Sequence, residues 1–212
     1  MTATVAAYQP ARTSRDGVFI VLEGISGSGK STLAALLAQQ LGGRHFHTVP
    51  APVSDLQPYI NANARPLAQL AFYLAGVLHA SDLARDGLQH GHVIADRYLN
   101  SVIANHAAVH DLPNDTVAAV IAPFTTYLAV PDLTVYLHTS PRELTRRMHA
   151  KPDQTRSDQD LLADPGLLQR LQDRYDQIAA TDPAARHLHT AGRSPAELAG
   201  LIAAMLPVPM PA

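Results

Sequence analysis

Val18-Phe-Ile-Val-Leu-Glu-Gly-Ile-Ser-Gly-Ser-Gly-Lys-Ser31 decides how this chain is read. Val18–Leu22 is an unbroken apolar, β-branched run, as expected of a strand whose two faces are both covered. Gly24–Ser31 then fits G-x-x-x-x-G-K-[ST], and a helical pattern over Thr32–Leu41 follows it. Glycines at this spacing let successive N–H groups turn inward on phosphate oxygens, and the helix adds its positive end. Lys30 brings a full charge to the β- and γ-phosphates, and the Ser31 hydroxyl is placed for Mg²⁺. Gly24, Ile25, Ser26, Gly27, Ser28, Gly29, Lys30, Ser31 and Thr32 are thus the expected ATP-binding segment. The motif establishes nucleotide binding and leaves the reaction open.

Outward from it, apolar runs alternate with helical patterns. Further strands are predicted at His45–Val49, His92–Ala95 and Leu133–Leu137, with a weaker one at Arg186–Thr190. Helices are predicted at Leu67–Gly87, Asn100–His110, Asn114–Leu128, Pro141–Ala150, Asp164–Ala180 and Pro195–Leu206. This alternation implies an α/β fold, a parallel sheet with helices on both faces and ligands at the carboxyl ends of its strands. The expected organisation is a flexible arm over residues 1–16, one domain over 17–206 and a Pro-rich tail over 207–212. A polar stretch at about 150–160, between two helical patterns, reads as a small lid.

Composition removes several alternatives. The 212 residues suit one α/β domain, and a net charge of -2 excludes a protein that holds a nucleic-acid polymer by bulk phosphate neutralisation. The absence of Cys excludes a disulfide scaffold, a Cys-ligated zinc site and a thiol nucleophile. No uninterrupted apolar run approaches the about 18 residues of a membrane helix, and the first ten residues lack a signal-peptide pattern. A soluble, cytoplasmic protein with small-molecule partners and no membrane association is the expectation.

The third predicted strand runs into Asp96-Arg97-Tyr98-Leu-Asn-Ser101, and no Asn-Lys-x-Asp run of a GTPase occurs. Taken with Phe19–Leu33 and with Pro131–Leu137 leading to Ser140-Pro141, the order and spacing of these blocks resemble the thymidylate kinases from about residue 18 to residue 180. The resemblance implies a P-loop NTPase three-layer fold, a five-stranded parallel sheet in the order 2-3-1-4-5, ATP with Mg²⁺, and a homodimer. It implies that Asp96 holds Mg²⁺ together with Ser31 or orients the attacking group, and that Arg97 offers its planar fork to an acceptor phosphate. Arg147, at the end of the helix before the lid, and Arg156, within the lid, would join Lys30 on the transferring phosphoryl. Phe72 matches the aromatic that stacks on the acceptor base, although an aromatic at this helical spacing also fits a core position. Asn105 and His106 fall where the family guards the sugar and reads the base.

Departures from the family pattern gather on the acceptor side. Ser26 replaces an Asp, Thr48-Val-Pro-Ala-Pro52 replaces an Arg-Glu-Pro run, Gly76 replaces an Arg, and Ala104-Asn105-His106 replaces Ala-Tyr-Gln. Polar site groups set specificity steeply, so thymidylate is not the expected acceptor. The leading reading is transfer of the ATP γ-phosphoryl to a nucleoside monophosphate or related small acceptor. A nucleoside or secondary-metabolite hydroxyl kinase and a non-catalytic nucleotide-binding regulatory protein are the alternatives. Glu23 reads as structural, and His79, Asp82 and Asp86 read as either an acceptor-side group or a solvated face. The pairs His45/His47, His90/His92 and His187/His189 lack a third nearby ligand, so no structural metal is expected.

Overall fold

The computed structural model describes residues 9–10 and 14–206. Its strands are β1 (Phe19–Glu23), β2 (Arg44–His47), β3 (Val93–Asp96), β4 (Leu133–His138) and β5 (Ala185–His189). All pair in parallel, in the order β2-β3-β1-β4-β5 that the resemblance implies. The helices are α1 (Lys30–Leu41), α2 (Gln57–Asn63), α3 (Pro66–Leu88), α4 (Leu99–Val109), α5 (Asn114–Ile121), α6 (Pro141–His149), α7 (Arg156–Ala163), α8 (Pro165–Ala179) and α9 (Pro195–Ala203).

The unbroken apolar run of β1 follows from its central position. Phe19 and Val21 join the core under α3, α4 and α5, while Ile20 and Leu22 join the core under α1 and α9. Each such side chain contributes about 1.5–3 kcal/mol on burial, so the strand feeding the P-loop is anchored on both faces. A third cluster, with Ile25, Tyr136, Leu144, Met148, Leu161 and Tyr175, ties α6, α7 and α8 to the P-loop side of the sheet. α3 is long and apolar enough, by length and composition alone, to cross a membrane. Here its Leu70, Leu74, Val77, Ala80, Ala84 and Leu88 are buried against the sheet.

Three segments differ from the sequence-based expectation. The helix expected over Asn114–Leu128 ends at Ile121 and tightens into a 3₁₀ turn over Ala122–Tyr127, where Pro123 removes a backbone donor. A 3₁₀ turn over Val53–Leu56 and α2 fill a stretch for which no element is predicted. The polar stretch read as a lid contains the start of α7, whose end is fixed by a reciprocal capping box between Thr155 and Asp158. The tail over 207–212 and most of the expected arm lie outside the described residues; within the arm, Arg15 pairs with Asp132 and the Asp16 N–H bonds the Leu88 carbonyl at 2.8 Å.

Candidate active site

The loop between β1 and α1 owes its shape to glycines. Gly24, Gly27 and Gly29 have φ of +136°, +82° and +101°, and a Cβ on Gly24 would come within 2.7 Å of the Leu137 carbonyl oxygen. Inside the loop, Lys30 is buried, and its Nζ donates to the Ile25 carbonyl at 2.7 Å and the Ser28 hydroxyl at 3.2 Å. Burial, together with the Arg97 cation, pulls the Lys30 ammonium down to about 7. A phosphate in the loop would supply the missing counter-charge and restore it.

β3 places Asp96 beside this loop, and the Ser31 hydroxyl donates to Asp96 Oδ2 at 2.5 Å. Asp96 Oδ1 is buried without a hydrogen-bond partner. Burial pushes this carboxyl up, but Lys30, Arg97 and Ser31 outweigh it and hold it below the ordinary carboxylate value. An ionised carboxylate with one oxygen unpaired, next to a hydroxyl, fits a Mg²⁺ ion that takes most of its ligands from phosphates and water. Among the described residues, no group of three His, Cys, Asp or Glu could hold a metal by itself.

Arg97 follows in the left-handed region, φ 72°, a conformation costly for a residue with a Cβ and maintained here by its contacts. Its Nη1 donates to the Gly24 carbonyl at 2.9 Å, Tyr175 Oη at 2.8 Å and Ser101 Oγ at 3.2 Å. Glu23, fully buried at the end of β1, accepts from the N–H groups of Tyr98 and Ser101 at 3.1 and 3.2 Å and from the Ser101 hydroxyl. It thereby caps α4 from the neighbouring strand, the structural role expected of it. Tyr175 on α8 completes the cluster, meeting Ser101 Oγ at 2.8 Å and the Asn105 amide at 3.2 Å.

α4, which carries Ser101 and Asn105 of this cluster, packs against α3, and α3 against α2. Half-buried Phe72 sets its ring edge-on to Tyr73, 5.4 Å between centroids, and buried His106 lies 4.4 Å from the His110 ring. Asn105 is turned partly inward, donating to the Ser101 carbonyl at 2.7 Å.

A thymidylate kinase family profile matches residues 22–200. A probable thymidylate kinase of Methanocorpusculum labreanum is 31% identical over 176 residues, spanning 78% of this chain and 85% of its own. The thymidylate kinase of Prochlorococcus marinus MIT 9313 is 32% identical over 154 residues, spanning 64% and 71%. The chain belongs to the thymidylate kinase family. In fold it is similar to the thymidylate kinase of Candida albicans, with a TM-score of 0.74, 21% identity and coverage of 91% and 92% of the two chains. It is likewise similar to the deoxyadenosine kinase of M. mycoides, with a TM-score of 0.66, 20% identity and coverage of 88% and 97%.

Set against the family pattern, the departures acquire partners. Ser26, where the family has Asp, donates its hydroxyl to Asp158 of α7, so the carboxylate reaches the loop from the opposite wall. Asp158 also accepts from Lys151 Nζ at 2.9 Å. Val49 and Gly76, two positions that read as separate losses, meet: a Cβ on Gly76 would lie 2.8 Å from Val49 Cγ2.

The cations sort similarly. Arg147 Nη1 reaches Thr190 Oγ1 at 3.1 Å and the Gly27 and Ser28 carbonyls at 3.5 Å, while its Nε donates to Glu143 at 2.7 Å. Arg156 opens α7 exposed, with no hydrogen bond or ion pair among the described residues. Lys151 is the cation of this segment whose charge bears on both Lys30 and His47. Asp82 is exposed and engaged by Tyr127 and Arg85, and exposed Asp86 by Arg44. His47, Tyr175 and Asp158 are site neighbours that the linear sequence did not single out in these roles.

Proposed function

We propose that this family member, an ATP-dependent phosphotransferase, moves the γ-phosphoryl of ATP to a nucleoside monophosphate or a related small acceptor for which thymidylate is a poor substitute. The observation that carries this reading is the meeting of Lys30, Ser31, Asp96 and Arg97 where β1 and β3 end, with Arg97 bonded to Ser101 of α4. Donor phosphates fill the loop of Gly24–Ser31, and their charge is met by inward N–H groups, the start of α1 and Lys30. Ser31 and Asp96 would hold Mg²⁺, which would supply charge neutralisation on the donor phosphates. Arg97 is fixed by Gly24, Ser101 and Tyr175, so it fixes the acceptor end relative to the loop with little freedom to lose. Arg147 and Lys151 border the loop from α6 and the following turn and add positive charge there. Phe72 and His106 line the acceptor side.

The lid, the homodimer and the cytoplasmic setting belong to the same proposal and rest on the resemblance. ADP release is measured with ATP·Mg²⁺ and a panel of nucleosides, nucleoside monophosphates and sugar-like hydroxyl compounds. Acceptor-dependent ADP is the expected result, and its absence across the panel would sink the proposal. Full activity in Lys30→Ala would sink the site. Sedimentation of the full chain tests the dimer.

A further inference from the structure

One buried carboxylate joins the start of α7 to the P-loop. An oxygen of Asp158 accepts from the Ser26 hydroxyl, and the other accepts from Lys151 Nζ and the Thr155 N–H, both at 2.9 Å. The turn that carries Lys151 is tied to α6: the Lys151 N–H donates to the Met148 carbonyl at 3.2 Å, and the Gln154 amide donates to the same carbonyl at 2.9 Å. Leu144, Met148 and Leu161 pack in one core with Ile25 of the P-loop. Gly27 allows the close approach, since a Cβ there would lie 3.1 Å from Met148 Cγ and 3.2 Å from the Leu144 carbonyl oxygen. A hydroxyl, a carboxylate and an ammonium therefore run in a chain from the P-loop to Lys151, and the protein itself supplies every bond in it.

Asp158 has both oxygens occupied, whereas Lys151 gives one of its three N–H groups to Asp158 and keeps about a third of its side chain exposed. Beyond burial and the Arg97 cation, the Lys151 charge also lowers Lys30, so its ammonium lies within electrostatic reach of the P-loop lysine. It is felt as well at His47, the register partner of Asp96 at the end of β2. That places the charge toward the Asp96 side of the loop, where the terminal phosphate of a bound donor belongs. A lysine stem has many rotamers, and ordering it on a ligand weakens binding unless the protein has already fixed it. Charge counting alone points the other way, because the Asp158 carboxylate repels an anionic donor. Its effect on binding is favourable only if what it does to Lys151 outweighs its own repulsion.

We propose that Asp158 and Ser26 are positioning residues that hold Lys151 where it meets the terminal phosphate of the donor, and so set the preference for a nucleoside triphosphate over a diphosphate; this rests on the phosphotransferase reading above. Ser26 fixes the carboxylate to the loop, the carboxylate fixes the ammonium, and the two remaining N–H groups of Lys151 are left for phosphoryl oxygens.

Calorimetry on the full chain measures binding of ADP·Mg²⁺ and of the β,γ-imido analogue of ATP with Mg²⁺. Lys151→Ala is expected to weaken the analogue about tenfold and ADP less than about threefold. Asp158→Asn is expected to weaken the analogue about tenfold although it removes a negative charge, and Ser26→Ala about threefold. In the Lys151→Ala background, Asp158→Asn is expected to weaken the analogue no further. Tighter or unchanged binding in Asp158→Asn means that charge counting prevails and overturns the positioning role. Further weakening in the Lys151→Ala background makes Asp158 a general support of the fold and also overturns it. Equal losses for ADP and the analogue in Lys151→Ala overturn the assignment to the terminal phosphate. Each of these outcomes leaves the phosphotransferase reading standing, whereas a parent chain that binds neither nucleotide overturns both.

Discussion

Replacing Asp158 by asparagine isolates the charge that holds the start of α7 against the P-loop. Asp158 is 2% exposed. One of its oxygens accepts the Ser26 hydroxyl, and the other accepts Lys151 Nζ and the Thr155 N–H, both at 2.9 Å. Burial pushes this carboxyl up, but those bonds prevail and hold it at about 2 against an ordinary 3.8. A lowering of this size corresponds to about 2 kcal/mol once screening at the partly exposed Lys151 is counted. Because the folded value lies below the unfolded one, this stabilisation is complete above about pH 5 and is lost as pH falls through about 2, with roughly half left at pH 3. Asparagine keeps an acceptor oxygen and lacks the charge, so it mimics the protonated state at every pH. Hydrogen exchange of the α7 amides reads the local opening directly. Relative to the parent chain, Asp158→Asn should accelerate exchange about thirtyfold at pH 7 and only about fivefold at pH 3. Equal acceleration at both pH values, or none, would refute the ionic account of this contact.

Other outcomes follow from the same geometry. Lys30→Ala should lower kcat about 10²- to 10³-fold in the ADP-release assay, as loss of a preorganised charge at the transferring phosphoryl does. Glu23→Ala strands the N–H groups of Tyr98 and Ser101, so urea unfolding should show about 3 kcal/mol less stability. Gly76→Ala should cost about 1–3 kcal/mol through the Val49 contact, and Val49→Ala in the same chain should recover much of it. A strictly additive double-mutant cycle would contradict that contact.

Much of the frame was legible from local pattern. Val18–Leu22 reads as a strand because every residue is apolar, and the structure gives the reason: successive side chains enter the two different cores of a central strand. The G-x-x-x-x-G-K-S spacing gives the loop because its glycines take backbone angles that other residues resist. The second half of the predicted helix over Asn114–Leu128 was misread because apolar periodicity continues past Pro123 while the hydrogen-bond ladder does not. α7 was missed because its stabilising signal is a polar cap, Thr155 to Asp158, inside a stretch whose polarity looks like a loop. Tyr175 sits on an amphipathic helix at an ordinary core spacing, so nothing along the chain marks it as the hydroxyl joining Arg97, Ser101 and Asn105.

The sequence by itself determined the parallel sheet, the phosphate loop and the Asp96-Arg97 pair, because each depends on spacing within a few residues. Tertiary structure alone decided what the acceptor side became. Ser26 and Asp158 are 132 positions apart, and Val49 and Gly76 belong to different elements, yet each pair is in contact. Linear reading registers Ser26, Val49 and Gly76 as separate departures and does not mark Asp158. Packing gives Ser26 a carboxylate partner and joins Val49 and Gly76 in one sterically closed position, because side chains respond to whatever the fold brings beside them.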